Sequence, residues 1–462
     1  MKNEKLFIYF TSDLHSHFEN WPQMMGFVKK QKEKHDRKQE DYFLFDNGDH
    51  VDRFHPIAEG LMGQGNVQLM NESGYDVVNL GNNEGITLSE EDLYHLYDDA
   101  KFGVTCGNLS KMDPPQPSWL KPYQVLTSRK GTRVGVFGLT APFETFYKQL
   151  GWAVTSPYEA IEKILPVVKE EADVVVLLSH LGINDDEEIA RRFDGIDVII
   201  GGHTHHLFQN GELVNDTLLT AVGKHGTHIG EVMLEWNPRE ALLEDKQAYA
   251  ISTEHMKKDE SVIEQVQQKR LDAVDNLKTP VTVLKQGMKI AWFQETELMQ
   301  LLTNELKDWT EADISMLNAG VLLDHLQEGP ITYGDLHRIC PHPMNPCKVE
   351  LSGDEIMEVI RVAHTKELTE IKLKGFGFRG EVIGKMVFSG VDIFGGIGPD
   401  GEYRVHRVHL NGIPLQHDRT YTFATADTFT FGRLFPEIAY AKIKTYYMPE
   451  LLRDLLKHAL QK

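Results

Sequence analysis

An α/β protein of two domains is what this sequence predicts. Short apolar runs alternate with stretches of helical spacing throughout the first half. At 462 residues the chain exceeds what a single core usually serves, so two domains are the natural division. The texture changes near Asn237-Pro238, and Glu260 to Leu277 reads as a charged helix with few apolar residues, the kind that bridges domains. The expected boundaries are a first domain over residues 1–250, a linker helix over 251–280 and a second domain over 281–462.

The elements follow in order. Leu6 to Phe10 is a strand that ends at Thr11-Ser12-Asp13-Leu14-His15, and a helix follows from Trp21 to Lys34. Tyr42 to Phe45 is a strand ending at Asp46-Asn47-Gly48-Asp49, and Tyr75 to Leu80 is one ending at Gly81-Asn82-Asn83-Glu84. Arg133 to Leu139 is a strand. Pro157 to Ala172 is a helix with Ser156 as its N-cap. Asp173 to Leu178 leads to Ser179-His180, and Ile196 to Ile200 to Gly201-Gly202-His203-Thr204-His205-His206. Leu218 to Val222 and Ile229 to Trp236 read as two paired strands joined by a glycine-bounded turn, and 237–250 as a polar connection. Beyond the linker, strands are expected at Val281 to Leu284, Cys347 to Leu351, Lys385 to Phe388, Tyr403 to Leu410 and Thr420 to Thr425. Helices are expected at Thr296 to Leu306 and Gly353 to His364. Asn411-Gly412 signals a hairpin, and the run Phe394 to Gly398 a loop.

Composition narrows the function. A formal net charge of -21 argues against a nonspecific grip on nucleic acid. It leaves open a small anionic substrate, because a local cation reverses the field inside a cleft. Cys106, Cys340 and Cys347 form no CxxC pair and no even framework, which points to reduced thiols. The N-terminus lacks the apolar core of a secretory signal, and no stretch approaches the roughly 20 apolar residues of a membrane span. The expectation is a cytoplasmic protein without a membrane partner, of undetermined oligomeric state.

Carboxylates and amides at the ends of apolar runs are poor core material, because a buried carboxylate needs a partner or a cation. In order, the strand ends offer Asp13, His15, Asp49, Asn82, His180, His203 and His205. These donors are all nitrogen or oxygen, and two ions could share them with one carboxylate between. Such mixed ligation suits Mn²⁺, Fe²⁺, Zn²⁺ or Ni²⁺ better than Ca²⁺.

The series Asp-x-His, Gly-Asp, Gly-Asn-x-Glu, His and Gly-His-x-His resembles the calcineurin-like metallophosphoesterase superfamily. The length and the second half resemble its 5′-nucleotidase and nucleotide-sugar hydrolase members. Gly223 to Gly230, Asn318-Ala319-Gly320 and Ile331 to Leu336 resemble motifs of that family. The resemblance implies a four-layer αββα catalytic domain followed by a smaller α+β substrate domain. It implies two divalent ions, with Mn, Zn or Fe the candidates. Asp13, His15 and His205 would hold one ion, Asn82, His180 and His203 the other, and Asp49 would bridge them. A bridging hydroxide would attack phosphorus in line with the leaving oxygen. The implied function is metal-dependent hydrolysis of a nucleotide-like phosphoester. Two alternatives stand beside it: a phosphodiesterase for cyclic nucleotides or nucleotide sugars, and a ligand-binding protein on a retired enzyme scaffold.

The sequence departs from the family pattern in three places. The superfamily usually places a general-acid His directly after the ligand Asn; here it is Asn83, and the supporting Asp is Ile86. An amide donates a hydrogen bond but delivers no proton. His50, His17 and His206 are the candidate replacements. Next, Gly48 to Arg53 resembles the protein-phosphatase version of its loop, in which the Arg binds phosphate, so Arg53 is a candidate phosphate contact. Finally, Val321-Leu322-Leu323 stands where the family carries an Arg, and Arg433 or Arg379 could replace it. Asn318 is a substrate-binding candidate. For the two rings that sandwich the base, Phe388 fits one position and Phe429 or Phe431 the other.

Overall fold

The computed structural model describes residues 3–462 apart from Lys374, Phe376, Asp400 and Arg433. Arg433, a candidate phosphate contact, thus lies outside the described residues. The chain divides into two compact units, Met1–Ala273 and Val274–Lys462.

In the first unit two sheets pack face to face. One has seven strands in the order Leu242–Ser252, His228–Asn237, Glu4–Thr11, Asp41–Asp46, Val77–Asn79, Gly103–Thr105, Leu120–Lys121. The other has six, in the order Glu212–Val214, Thr217–Thr220, Val198–Gly201, Val174–His180, Arg133–Thr140, Tyr123–Thr127. Alternation explains the packing. Leu6, Ile8 and Phe10 of one sheet meet Val134, Val136, Val174 and Val176 of the other in a shared core. The opposite faces of the second sheet's strands, with Phe137, Val175 and Leu177, are covered by Ile161, Leu165 and Val168 of the helix Pro157–Glu171 and by Ile189 of Ile183–Arg192. On the far face of the first sheet, Tyr9 bonds His35 of the helix Trp21–Lys38. The result is the four-layer αββα order. The strands that carry the ligand motifs run parallel, so their C-terminal ends share one side.

Several local expectations are corrected. Thr217–Thr220 and His228–Asn237 do not pair. The first pairs in parallel with Val198–Gly201 and the second antiparallel with Glu4–Thr11, so the Gly223–Gly226 loop crosses from one sheet to the other. The polar stretch after Asn237 is not a mere connection. Leu242–Ser252 is an edge strand on His228–Asn237, polar because much of it faces solvent while Ala248 and Ala250 turn inward. The run Phe394 to Gly398 falls largely in the strand Val391–Ile397, which pairs with Tyr403–Leu410 through a register shift at Phe394/Gly395. Ser156 occupies the cap position without a side-chain bond, and Pro157 begins that helix instead.

The second unit is α+β. Its five-stranded sheet runs Met386–Ser389, Ile314–Asn318, Thr420–Ala426, Pro346–Ser352, Lys444–Tyr446, with one parallel pair, Ile314–Asn318 and Thr420–Ala426. Helices Glu297–Trp309, Gly353–Ala363 and Leu452–Gln461 bury Leu302, Ile356 and Leu455. Among the described residues, no helix is long and apolar enough to cross a membrane.

Candidate metal centre

The candidate ligands converge because their loops bend sharply at the strand ends. Asp13, His15, Asp49, His203 and His205 all take positive φ, between 49° and 67°. The Gly48 and Gly81 loops pass back to back. A Cβ on Gly48 would lie 2.3 Å from Gly81 N, and one on Gly81 2.2 Å from Asp49 N, so only glycine fits at either place. Glu84 fixes this crossing: its carboxylate accepts from Asp49 N at 3.0 Å, Gly81 N at 3.1 Å and Val51 N at 2.8 Å. Burial, and then the Asp49 charge, push its pKa up to about 7. Asn47 Nδ2 donates to the carbonyls of Ser179 and Ile200, and Asn79 Nδ2 to those of Leu139 and Leu178, which ties the two sheets at this end.

Two groups of close ligand atoms result: Asp13, His15 and His205, and Asp13, Asp49 and His180, each within 4.8 Å. Asp13 Oδ1 lies 3.4 Å from His205 Nε2 and 3.9 Å from His180 Nε2. Asp49 Oδ2 lies 3.3 Å from His180 Nε2 and 3.7 Å from His15 Nε2, and the two imidazole nitrogens of His15 and His205 face each other at 3.2 Å. His203 and Asn82 complete the set differently. His203 Nδ1 donates to Asn82 Oδ1 at 2.7 Å, while the His203 backbone N–H donates to Asp13 Oδ1 at 3.1 Å.

The fit to a cation rests on His180. Its Nδ1 donates to the Asn47 carbonyl at 2.8 Å, which leaves Nε2 bare in the neutral ring. That nitrogen is fully buried, has no hydrogen-bond partner and faces two carboxylates. Burial disfavours a charge on the ring, yet Asp49 and then Asp13 outweigh it and raise its pKa to about 10. Burial likewise opposes the Asp49 charge, but His180 and His15 hold its carboxyl well below the usual range. Such a cluster satisfies itself either with a trapped proton or with divalent ions, and its oxygen and nitrogen donors suit the latter.

The other candidates scatter. His50 is not placed as an acid: it is 2% exposed, its Nδ1 meets Asn66 Nδ2 at 3.0 Å, and burial pushes its pKa down to about 3. Its ring packs edge-on against Trp21, which explains the depression. Arg53 is not held ready for phosphate. Its guanidinium forms a buried two-bond pair with Glu59, at 2.8 and 3.1 Å, and Nη1 donates to the Thr87 carbonyl. His206 is exposed and bonds Thr204, whereas His17 stacks on His225 with centroids 3.6 Å apart. Asn83 turns inward, its Nδ2 3.0 Å from His15 Nδ1.

In the second unit, Phe429 is 1% exposed and packs edge-on with Phe435, so it is core rather than a base platform. Phe431 is 40% exposed. Phe388 is half-buried, stacks on His364, and lines a cavity of about 880 Å³ with His364, Tyr403, Lys385 and Glu295. Asn318 is fully buried; its Nδ2 donates to the Ile383 carbonyl and its Oδ1 has no partner. The tight turn after it requires Gly320, whose Cβ would sit 1.9 Å from the Val382 carbonyl.

Three residues near the ligands escaped sequence reasoning. Asp52 Oδ2 lies 3.5 Å from His15 Nδ1. His225 donates its backbone N–H to the Asp13 carbonyl and turns its ring edge toward His15. Phe143 lies edge-on to His203 at 5.8 Å. The flanking glycines of the His225 loop were a readable signal; Asp52 and Phe143 had none beyond nearness to a strand end.

A sequence model described as calcineurin-like phosphoesterase matches residues 7–207, and one described as 5′-nucleotidase, C-terminal domain, matches 277–434. The uncharacterized metallophosphoesterase YunD of Bacillus subtilis (strain 168) is 42% identical over 98% of this chain and 98% of its own. The trifunctional nucleotide phosphoesterase protein YfkN of the same organism is 24% identical over 76% of this chain, but this covers 27% of its own length. A 5′-nucleotidase precursor from Thermus thermophilus superposes with a TM-score of 0.60 at 21% identity, covering 99% of this chain and 96% of that one. The NAD nucleotidase of Haemophilus influenzae gives 0.68 at 13%, covering 100% and 97%. At those identities the structures speak for the fold alone.

Proposed function

We propose that this chain, which belongs to the calcineurin-like phosphoesterases and carries a 5′-nucleotidase C-terminal domain, hydrolyses nucleotide-like phosphoesters at a dinuclear centre. It is a phosphoric ester hydrolase by family, and the family uses divalent metals. The observation that carries the finer reading is the buried, unpartnered His180 Nε2 facing Asp13 and Asp49. Asp13, His15 and His205 would hold one ion; His180, with His203 and Asn82, the other; and Asp49 would lie between them. Mn²⁺, Zn²⁺ or Fe²⁺ suits these donors. Two such cations supply Lewis acidity and an acidic water for attack on phosphorus.

This chain's residues supply the rest. Glu84 and Asn47 hold the Asp49 and His180 loops in place without touching substrate. In the second unit the half-buried Phe388 and the cavity beside it offer a planar surface for a base. A nucleotide-like phosphoester is the partner of this reading; nucleic acid is not, given the net charge of -21. Three buried cysteines, all free, suit a reducing cytoplasm.

One observation favours the diester or pyrophosphate reading as a second choice. Asn83 stands in the usual acid position with its amide tied to His15 and Val51, so a poor leaving group would receive no proton from it. The test is full-length protein with Mn²⁺, Zn²⁺ or Fe²⁺, offered nucleoside monophosphates, cyclic nucleotides and nucleotide sugars, with products identified by ³¹P NMR. Hydrolysis of the monoesters supports the first reading and hydrolysis of the others alone the second. Metal binding without turnover of any of them would leave a binding protein on an enzyme scaffold.

A further inference from the structure

His15 Nδ1 has two neighbours with opposite demands. Asn83 Nδ2 lies 3.0 Å from it and 3.3 Å from the Val51 carbonyl oxygen. A carbonyl oxygen only accepts, so the amide NH₂ faces it, and the same nitrogen gives its second hydrogen to His15 Nδ1. That bond requires a bare Nδ1, which places the proton of the neutral ring on Nε2. Nε2 is the atom that faces His205 Nε2 at 3.2 Å, Asp49 Oδ2 at 3.7 Å and Asp13 Oδ1 at 3.8 Å. A cation there needs the lone pair of Nε2, and therefore the proton on Nδ1.

Asp52 is placed to take that proton's hydrogen bond. Its Oδ2 lies 3.5 Å from Nδ1, its Oδ1 accepts from Phe54 N at 2.9 Å, and its backbone N–H donates to Ser16 Oγ at 2.9 Å, so its position is fixed. The Asn83 backbone is fixed too, by its N–H to Asp49 Oδ1 at 2.7 Å, and its side-chain Oδ1 accepts from Asn82 Nδ2 at 3.4 Å.

We propose that Asn83 and Asp52 are an opposed pair of positioning residues: Asp52 favours the cation-binding tautomer of His15, and Asn83 opposes it until an ion displaces its amide. Asn83 is then a brake on loading rather than a weak substitute for an acid. The inference rests on the reading of His15 as a cation ligand.

Two measurements on the full chain test it. The first is a long-range ¹H–¹⁵N imidazole spectrum of metal-free wild type at pH 9, with His15 assigned by difference against His15→Gln. The expected signature is a bare Nδ1 and a protonated Nε2, reversed in Asn83→Ala and retained in Asp52→Asn. A protonated Nδ1 in wild type overturns the proposal and needs no variant to fold. The second is Zn²⁺ competition against a chromophoric chelator. Loss of one opposing hydrogen bond should tighten one of the two ions on the order of fivefold in Asn83→Ala. Asp52→Asn should weaken the same ion. Because Asn83→Ala changes no charge, its sign decides: weaker binding would make Asn83 an ordinary support for the ring and overturn the brake. If wild type binds no Zn²⁺ at all, the proposed dinuclear function fails, while the tautomer spectrum still judges the pair.

Discussion

Buried carboxyl groups at strand ends occur in both units, and they behave oppositely. In the first, Asp49 is 2% exposed, and His180 and His15 overcome burial to keep it charged, well below its usual pKa. In the second, Asp427 follows the strand Thr420–Ala426 and is 6% exposed. Burial raises it to about 7, with only the Asn345 and Thr428 backbones pulling it down. Among the described residues, close groups of three potential ligands occur only in the first unit. Burial alone therefore does not mark a candidate metal ligand; the imidazoles around it do. A carboxyl without them is pushed toward its neutral form.

The contrast can be broken most forcefully at Asp49. Asp49→Ala should release both ions and lower turnover by about 10²–10³-fold or more, whereas His205→Ala should disturb mainly one ion. Elemental analysis beside kcat reads both, and an Asp49→Ala enzyme that keeps two ions would end the bridging role.

Arg53 separates scaffold from substrate contact within the first unit. Arg53→Met takes the guanidinium away from the buried Glu59 and should cost about 3–5 kcal/mol, recovered largely in the double variant Arg53→Met with Glu59→Leu. Chemical denaturation measures it. A raised KM at unchanged stability, with no recovery, would return Arg53 to the phosphate.

Phe429 and Phe431 do the same for the second unit. Phe429→Ala empties a core site and should cost about 3–5 kcal/mol; Phe431→Ala should cost less than about 1 kcal/mol. If Phe429→Ala instead raised KM for nucleotides and left Tm alone, the ring would be a base platform after all.

The last contrast is in the pH dependence of stability. His342 is buried and depressed to about 3 by burial, below its ordinary 6.5. The unfolded chain then takes its proton first, so its contribution is full above pH 6.5 and is lost as pH falls from 6.5 toward 3. Asp427 runs the other way: its folded pKa exceeds the unfolded value of 3.8, so its contribution is full below pH 3.8 and is lost as pH rises toward 7. Each slope approaches about 1.4 kcal/mol per pH unit inside its window. Denaturation curves of His342→Gln and Asp427→Asn across pH 4–8 should lose one slope each; an unchanged slope removes that group from the account.

The candidate ligands were legible in the sequence because each sits in a short motif just past an apolar run, and the structure brings Asp13, His15, Asp49, His180 and His205 within reach of one another. The sheets were legible where alternation was strong, as in Leu6, Ile8 and Phe10. What failed had its answer elsewhere in the chain. Arg53 is claimed by Glu59, His50 is sealed under Trp21, and Phe429 reads like any aromatic until Phe435 buries it. The loop from Thr217–Thr220 to His228–Asn237 looked like a hairpin turn because nothing local tells a turn within a sheet from a crossing between two.

The left-handed backbone at Asp13, His15, Asp49, His203 and His205 has a kinetic meaning. Those residues adopt a disfavoured conformation only because the closely crossing loops around them enforce it. The candidate ligands are therefore arranged when the chain folds, and in the proposed dinuclear centre no loop would have to close around an arriving ion. Uptake should then run at the pace at which the ion sheds its own water, a slow-dehydrating Mg²⁺ lagging behind Mn²⁺ or Zn²⁺ whatever their final affinities.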